Sequence, residues 1–278
     1  MRVTRLAFAT VVGAGAIAAC GLDAIGTLAP SLTDGGSAGD LDAIAFDAFS
    51  PDEASASMSD GSQMEDASID APPDVVQIGP SFCQASSLIA CYRFENTVVD
   101  ESAPAIGAPT TSTNVTYVAG PPGHGNALRS QASTVLQLPD DPSWDSTNIT
   151  LEFWVNIQSL PATGVRGGIF DNSRNYAVFI ESTGVARCGT ANLDSTVLPL
   201  KTWTHVACVW NATLGSVTVY VNGQQTGTLS SSNMPIASTA AAAIGSNIPS
   251  GDPLDGMIDG LRIFSSVRTP TEIAAAAK

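Results

Sequence analysis

Residues 202–230 read TWTHVACVWNATLGSVTVYVNGQQTGTLS, and this stretch decides the fold class. Val217, Val219 and Val221 recur at every second position, the period that turns alternate side chains to one face of a strand. Asn222-Gly223 follow at once. Both residue types accept the positive φ angles of a type I′ turn, whose twist matches that of two paired strands. The run before it, 202–210, reads as a further strand. Outward along the chain the texture repeats. NITLEFWVNI (148–157) sets Ile149, Leu151, Phe153 and Val155 on one face and Thr150, Glu152, Trp154 and Asn156 on the other. GMIDGLRIF (256–264) is a late strand. From residue 81 on, short alternating runs separated by Gly, Pro, Asn and Asp clusters predict an all-β, two-sheet sandwich. RTPTEIAAAAK (268–278) breaks the pattern and predicts a short closing helix. Thr269 is its N-cap, Pro270 its first residue, and Glu272 completes a capping box.

Before residue 81 the sequence has another character. Arg2 and Arg5 precede an apolar or small run, 6–19, that is shorter than the about 20 residues needed to span a bilayer. Residues 1–19 therefore read as a signal peptide. Ile17-Ala18-Ala19-Cys20 resembles the bacterial lipobox, which implies an acylated Cys20 at the mature N-terminus and a membrane partner through the lipid. Gly21 after it, rather than Asp, implies sorting to the outer membrane. Residues 20–80 read as a disordered tether. Between 21 and 80 there are 12 acidic residues and no Lys or Arg, with few large apolar side chains to offset the entropy of ordering. The Asp spacing there is irregular and contains no D-x-D-x-D-G calcium loop. Residues 81–278 carry 14 acidic and 9 basic residues. Neither part has the basic patch that nucleic acid requires, which excludes that partner.

The five cysteines are Cys20, Cys83, Cys91, Cys188 and Cys208. With Cys20 taken as the lipid carrier, four remain, and an oxidising compartment favours two disulfides. Three connectivities are possible; Cys83–Cys91, a short clip, with Cys188–Cys208, tying two strands, is the favoured one. A zinc site is disfavoured by the absence of C-x-x-C spacing and by having only two histidines, His124 and His205.

Five pieces, in order, then carry a family likeness: LIACYRFENTVVDES (88–102), GHGNALRSQASTVLQLP (123–139), ITLEFWVN (149–156), WTHVACVWNATLGSVTVYVNGQQTGT (203–228) and IGSNIPSGDPLDGMIDGLRIFSSVRTPTEIAA (244–275). Together they resemble the laminin-G-like modules of the concanavalin A-like lectin/glucanase fold. The resemblance implies an antiparallel jelly roll over residues 81–278. It leaves activity open, since the fold hosts sugar binders, protein binders and glycoside hydrolases. Hydrolases of the glucanase branch carry E-x-D-x-E on one strand, which supplies paired carboxylates. Here Glu152 stands alone, and no two acidic residues after residue 81 are two positions apart. The expectation is a non-enzyme. His205 matches a position usual in the family and reads as structural; His124 lies in a turn.

The resemblance also implies a calcium ion at the sheet rim, with Glu95, Asp100 and Asp259 as candidate ligands. For carbohydrate, Trp154 and Tyr220 are candidate platforms, and Asp171, Asn172 and Asn175 in FDNSRNY (170–176) a candidate rim. Trp203 and Trp210 are assigned to the core. The sequons at Asn114, Asn148 and Asn211 are incidental beside a lipobox. The whole reads as an envelope lipoprotein displaying a domain that binds carbohydrate or a surface or matrix protein. A structural or protein-interaction module without glycan binding is the alternative, and a degenerate hydrolase the third reading.

Overall fold

The computed structural model describes residues 80–173, 175–248 and 251–278. The signal peptide, Cys20 and the tether before Pro80 lie outside the described residues. In chain order the strands are β1 (Leu88–Tyr92), β2 (Thr111–Thr113), β3 (Thr116–Ala119), β4 (Asn126–Ser130), β5 (Val135–Leu138), β6 (Ile149–Ile157), β7 (Arg166–Asn172), β8 (Tyr176–Glu181), β9 (Val185–Cys188), β10 (Leu193–Val197), β11 (Thr204–Asn211), β12 (Ser216–Val221), β13 (Gln224–Ser230), β14 (Ala242–Ile244) and β15 (Gly256–Phe264). One helix, α1 (Pro270–Ala276), and 3-10 turns at Pro80–Cys83 and Pro142–Trp144 complete the described elements.

These strands form two antiparallel sheets, one of eight strands in the order β13-β12-β11-β6-β15-β4-β3 and one of seven in the order β10-β9-β8-β7-β14-β5-β2. The eighth strand of the first sheet, β1, pairs with β15. The irregularity between Asp259 and Arg262 divides β15: Gly256–Ile258 pair with β4, whereas Leu261 and Phe264 pair with β1. First and last strands are thus neighbours. The hairpin forms as its residues dictate. Val221 faces Gln224 across the two-residue turn, with φ of 49° at Asn222 and 76° at Gly223. A side chain at Gly223 would also meet the backbone of α1, its Cβ lying 2.8 Å from Ala274 Cα.

The core fills the space between the sheets. Ile149, Leu151 and Phe153 of β6 are fully buried and Val155 nearly so, as alternation requires. Trp210 is fully buried and its indole N–H donates to Gly189 O at 3.2 Å, whereas Trp203 is only half-buried. Two disulfides are present, Cys83–Cys91 and Cys188–Cys208. The second joins β9 to β11 and so links the two sheets through the core.

The opposite face of β6 is not the solvated face its polar residues suggest. Thr150 and Glu152 are fully buried and Asn156 nearly so. Two chain segments lie over this side. Helix α1, closed by the Thr269–Glu272 capping box, seats Ile273 against Ala207, Val209 and Tyr220. The Pro80–Cys83 turn, held by the Cys83–Cys91 bridge, places the Phe82 ring over the Arg262 guanidinium at 3.8 Å.

Candidate functional site

A cavity of about 460 Å³ opens on the outer face of the seven-stranded sheet. Its floor follows from strand alternation. In β8, Val178 and Ile180 point into the core, so Ala177 and Phe179 face outward and line the cavity. Across the ladder, Asp171 of β7 sits beside Ala177, and Arg187 of β9 beside Phe179. The Arg166 guanidinium lies 3.7 Å above the Phe179 ring, a cation–π contact that holds a donor flat on the floor. Its Nε also donates to Asp252 at 3.0 Å.

One wall is formed by Asn247 and Ile248, and the chain just before them comes against the sheet because β7 carries Gly168 at the crossing. A Cβ there would lie 2.3 Å from the Ser246 carbonyl, so no larger residue leaves this wall in place. The wall is then tied down by Ile248 N–H donating to Asp171 Oδ2 at 3.0 Å. Burial pushes the Asp171 carboxyl upward, an effect opposed by that bond and by Arg166. Asn175 supplies the other end. It is 1% exposed, its amide donates to Trp144 O at 3.2 Å, and its Oδ1 meets no partner among the described residues.

Of the residues expected at this rim, Asp171 and Asn175 line the cavity together. Asn172 does not: it is one position on from Asp171, faces the core side of the strand and is buried. Trp154 and Tyr220 belong to the other sheet. Tyr220 is packed beneath α1, which removes its ring from use as a platform. Trp154 is half-buried between two imidazoles, with ring centroids 5.2 Å from His124 and 5.4 Å from His205, both edge-on. His205 itself is pushed down to about 3, first by burial and then by Arg262 and Arg268, so it is a neutral packing residue. Arg166, Phe179, Arg187 and Ile248 were not singled out from the sequence. The signal that could have found this wall is the Gly167-Gly168 pair inside a strand, which marks a close backbone approach.

Each of the three carboxylates expected to hold calcium meets protein donors, to different extents. Both oxygens of Asp100 are saturated by protein donors: Oδ1 accepts from Cys91 N and Ser102 N, and Oδ2 from Ser102 Oγ and Ile106 N. It closes its own turn and has no lone pair left for an ion. Glu95 Oε2 accepts from Asn126 N at 3.0 Å. Asp259 accepts from Gly260 N at 2.7 Å and stands 3.6 Å from His124 Nδ1. Among the described residues no group of three His, Cys, Asp or Glu side chains is placed to hold a metal ion.

Asp259 instead carries a pH signature. Burial pushes its carboxyl up to about 6; His124 and the Gly260 N–H oppose this and Glu95 adds to it. The folded state then holds more protons than the unfolded chain between about pH 4 and 6. Stability falls as pH rises through that window, at up to about 1.4 kcal/mol per pH unit from this group. Asp259→Asn is expected to remove that slope, seen as the difference between the two proteins' melting temperatures from pH 4 to 7. Parallel profiles would refute it.

A family model described as the concanavalin A-like lectin/glucanases superfamily matches residues 130–274, more than half the chain. The chain belongs to this superfamily. No curated protein matches it. Among solved structures, this superfamily member is similar to domain 4 of AbnA, a GH43 extracellular arabinanase from Geobacillus stearothermophilus, solved in complex with arabinotriose. The identity is 24% and the TM-score 0.56, with 69% of this chain and 98% of that one covered. It is also similar to the binding domain of Paraclostridial Mosquitocidal Protein 1, with 14% identity, a TM-score of 0.56, and 69% and 52% covered. A third is the binding domain of Botulinum neurotoxin DC in complex with rat synaptotagmin II, with 16% identity, a TM-score of 0.53, and 69% and 51% covered. The lectin/glucanase chain thus spans about half of each toxin domain. At these identities the likeness is one of fold.

Proposed function

We propose that residues 80–278 form a carbohydrate-binding domain whose site is the cavity on the seven-stranded sheet, displayed from the cell envelope through a lipid on Cys20. The observation that carries this reading is the convergence of the Asp171 carboxylate, the Arg166 guanidinium and Asn175 on one cavity with an apolar Phe179 floor. Sugars are recognised by hydrogen bonds to hydroxyls beside an apolar surface for their C–H faces, and cavities of roughly 300–1,000 Å³ are the usual size for small ligands. The lining holds a single carboxylate, Asp171, whereas glycoside hydrolysis uses a pair. This supports binding rather than cleavage. Domain 4 of AbnA was solved with arabinotriose, which makes arabino-oligosaccharides a first ligand to try.

A glycan array including arabino-oligosaccharides is the test. Binding is expected, and Asn175→Ala with Asp171→Ala is expected to weaken it by roughly tenfold or more, the loss of one or two hydrogen bonds to a ligand. If the well-folded protein retains no glycan, the reading fails. A protein-interaction module then gains ground, favoured by exposed Leu160 and Val197, whose side chains both lie within 3.5 Å of the Cβ position of Gly184.

A further inference from the structure

The eight-stranded sheet has a cavity of its own, about 310 Å³, between the Pro80–Cys83 turn and α1. Phe82 and His124 form one side, Ala275 and Glu272 the other, and Arg262 and Arg268 the base. Its charges do not balance. The two guanidinium groups share one buried carboxylate: Glu152 Oε1 receives Arg268 Nη1 at 2.6 Å and pairs with Arg262 Nη2. Glu272, the one acidic residue in the lining, is committed to the helix cap, where it accepts from Thr269 N at 2.7 Å and Thr269 Oγ1 at 2.8 Å. Glu272 keeps its charge there and faces Arg268, so the two guanidiniums meet two carboxylates, and the Lys278 ammonium leaves these side chains with one net positive charge.

Donors remain as well. A guanidinium has five N–H groups. Arg262 places one against Phe82 O and one against Glu152; Arg268 places one against Glu152 and one against Glu272 O. Arg262 Nε is buried and meets no partner among the described residues, although its side chain is only 9% exposed. Phe82 covers a flat face of that guanidinium, and Arg262 still lines the cavity. An edge of parallel N–H groups is the geometry that grips a planar oxyanion with two bonds.

We propose that this cavity is a second binding site, for an oxyanion such as the carboxylate or sulfate group of an acidic sugar, held by Arg262 and Arg268 beside His124. It lies on the opposite sheet from the glycan cavity and does not depend on it.

The test is an NMR titration of the His124 ring, at constant ionic strength, with sodium glucuronate, sodium sulfate and glucose. The chain has two histidines and only His124 lines this cavity, so a His205→Asn variant assigns the reporter. Saturable shifts with glucuronate or sulfate and none with glucose are expected; which anion acts identifies its source. Ala275→Glu, an exposed change on the rim that leaves the Glu152 pairs alone, is expected to weaken binding by about tenfold through charge repulsion. Arg268→Lys keeps a charge beside Glu152 but loses the fork, and is expected to weaken it as well. No saturable shift, an equal response to glucose, or unchanged affinity in Ala275→Glu would overturn the proposal. A null result with neutral glycans would not touch it.

Discussion

Glu152→Gln is expected to destabilise the domain by about 3–5 kcal/mol, the cost of removing one partner from a buried ion pair. Glu152 is fully buried on the covered face of β6, in contact with Arg262 and Arg268. Burial drives its carboxyl upward, and the two guanidiniums oppose that rise. Arg262 is itself 8% exposed, so without the carboxylate its charge stays buried with Arg268 as its nearest cation. The measurement is the denaturant midpoint at unchanged slope. A double replacement, Glu152→Met with Arg262→Leu, is expected to recover much of the loss, because an apolar pair of similar volume needs no desolvation. A Glu152→Gln protein of near-native stability would mean that the carboxyl is already protonated in the fold, and would refute the ion-pair account.

The same residue shows where sequence reasoning stops. The inner face of β6 was legible, because burial by one sheet on another imposes a strict two-residue period. The Asn222-Gly223 hairpin and the Thr269–Glu272 cap were legible for a related reason: their rules span four residues or fewer. The outer face of β6 obeys no local rule. Its Thr, Glu, Trp and Asn look solvated until the N-terminal turn and α1 are laid over them, and both come from remote parts of the chain. The cavity on the seven-stranded sheet has the same origin. Asp171, near the end of β7, and Asn175, in the turn after it, belong to one polar run and could be singled out, but the Ile248 N–H that fixes Asp171 is 77 residues away. Asn172 shows the converse limit, since a candidate run of polar residues in a strand must send alternate members inward. Asp100, read as an ion ligand, closes its own turn, a use that carboxylates in Asp-Glu-Ser runs share with calcium loops at the level of residue type.

Cys188→Ala with Cys208→Ala is expected to cost about 3 kcal/mol, the loop-closure value for a bridge spanning 20 residues. This bond is not a loop clip. It runs from β9 to β11 through the core, with Cα atoms 5.8 Å apart, and so fixes the spacing of two sheets that otherwise meet by packing and a few hydrogen bonds such as Trp210 to Gly189 O. Both sulfurs are fully buried, so the double variant also loses their contacts. The bridge bears on function through its neighbours. Arg187 and Gly189 flank Cys188 and both line the glycan cavity, while Trp210, two positions after Cys208, donates to the Gly189 carbonyl. Loss of the bond is therefore expected to lower glycan affinity along with stability, whereas Cys83→Ala with Cys91→Ala, which frees the Phe82 turn, is expected to weaken the oxyanion site and spare the glycan cavity. Denaturation midpoints and the two binding titrations on both variants separate these effects. If the Cys188–Cys208 variant unfolds at the native midpoint, sheet packing alone sets the spacing and the bridge is incidental to the site.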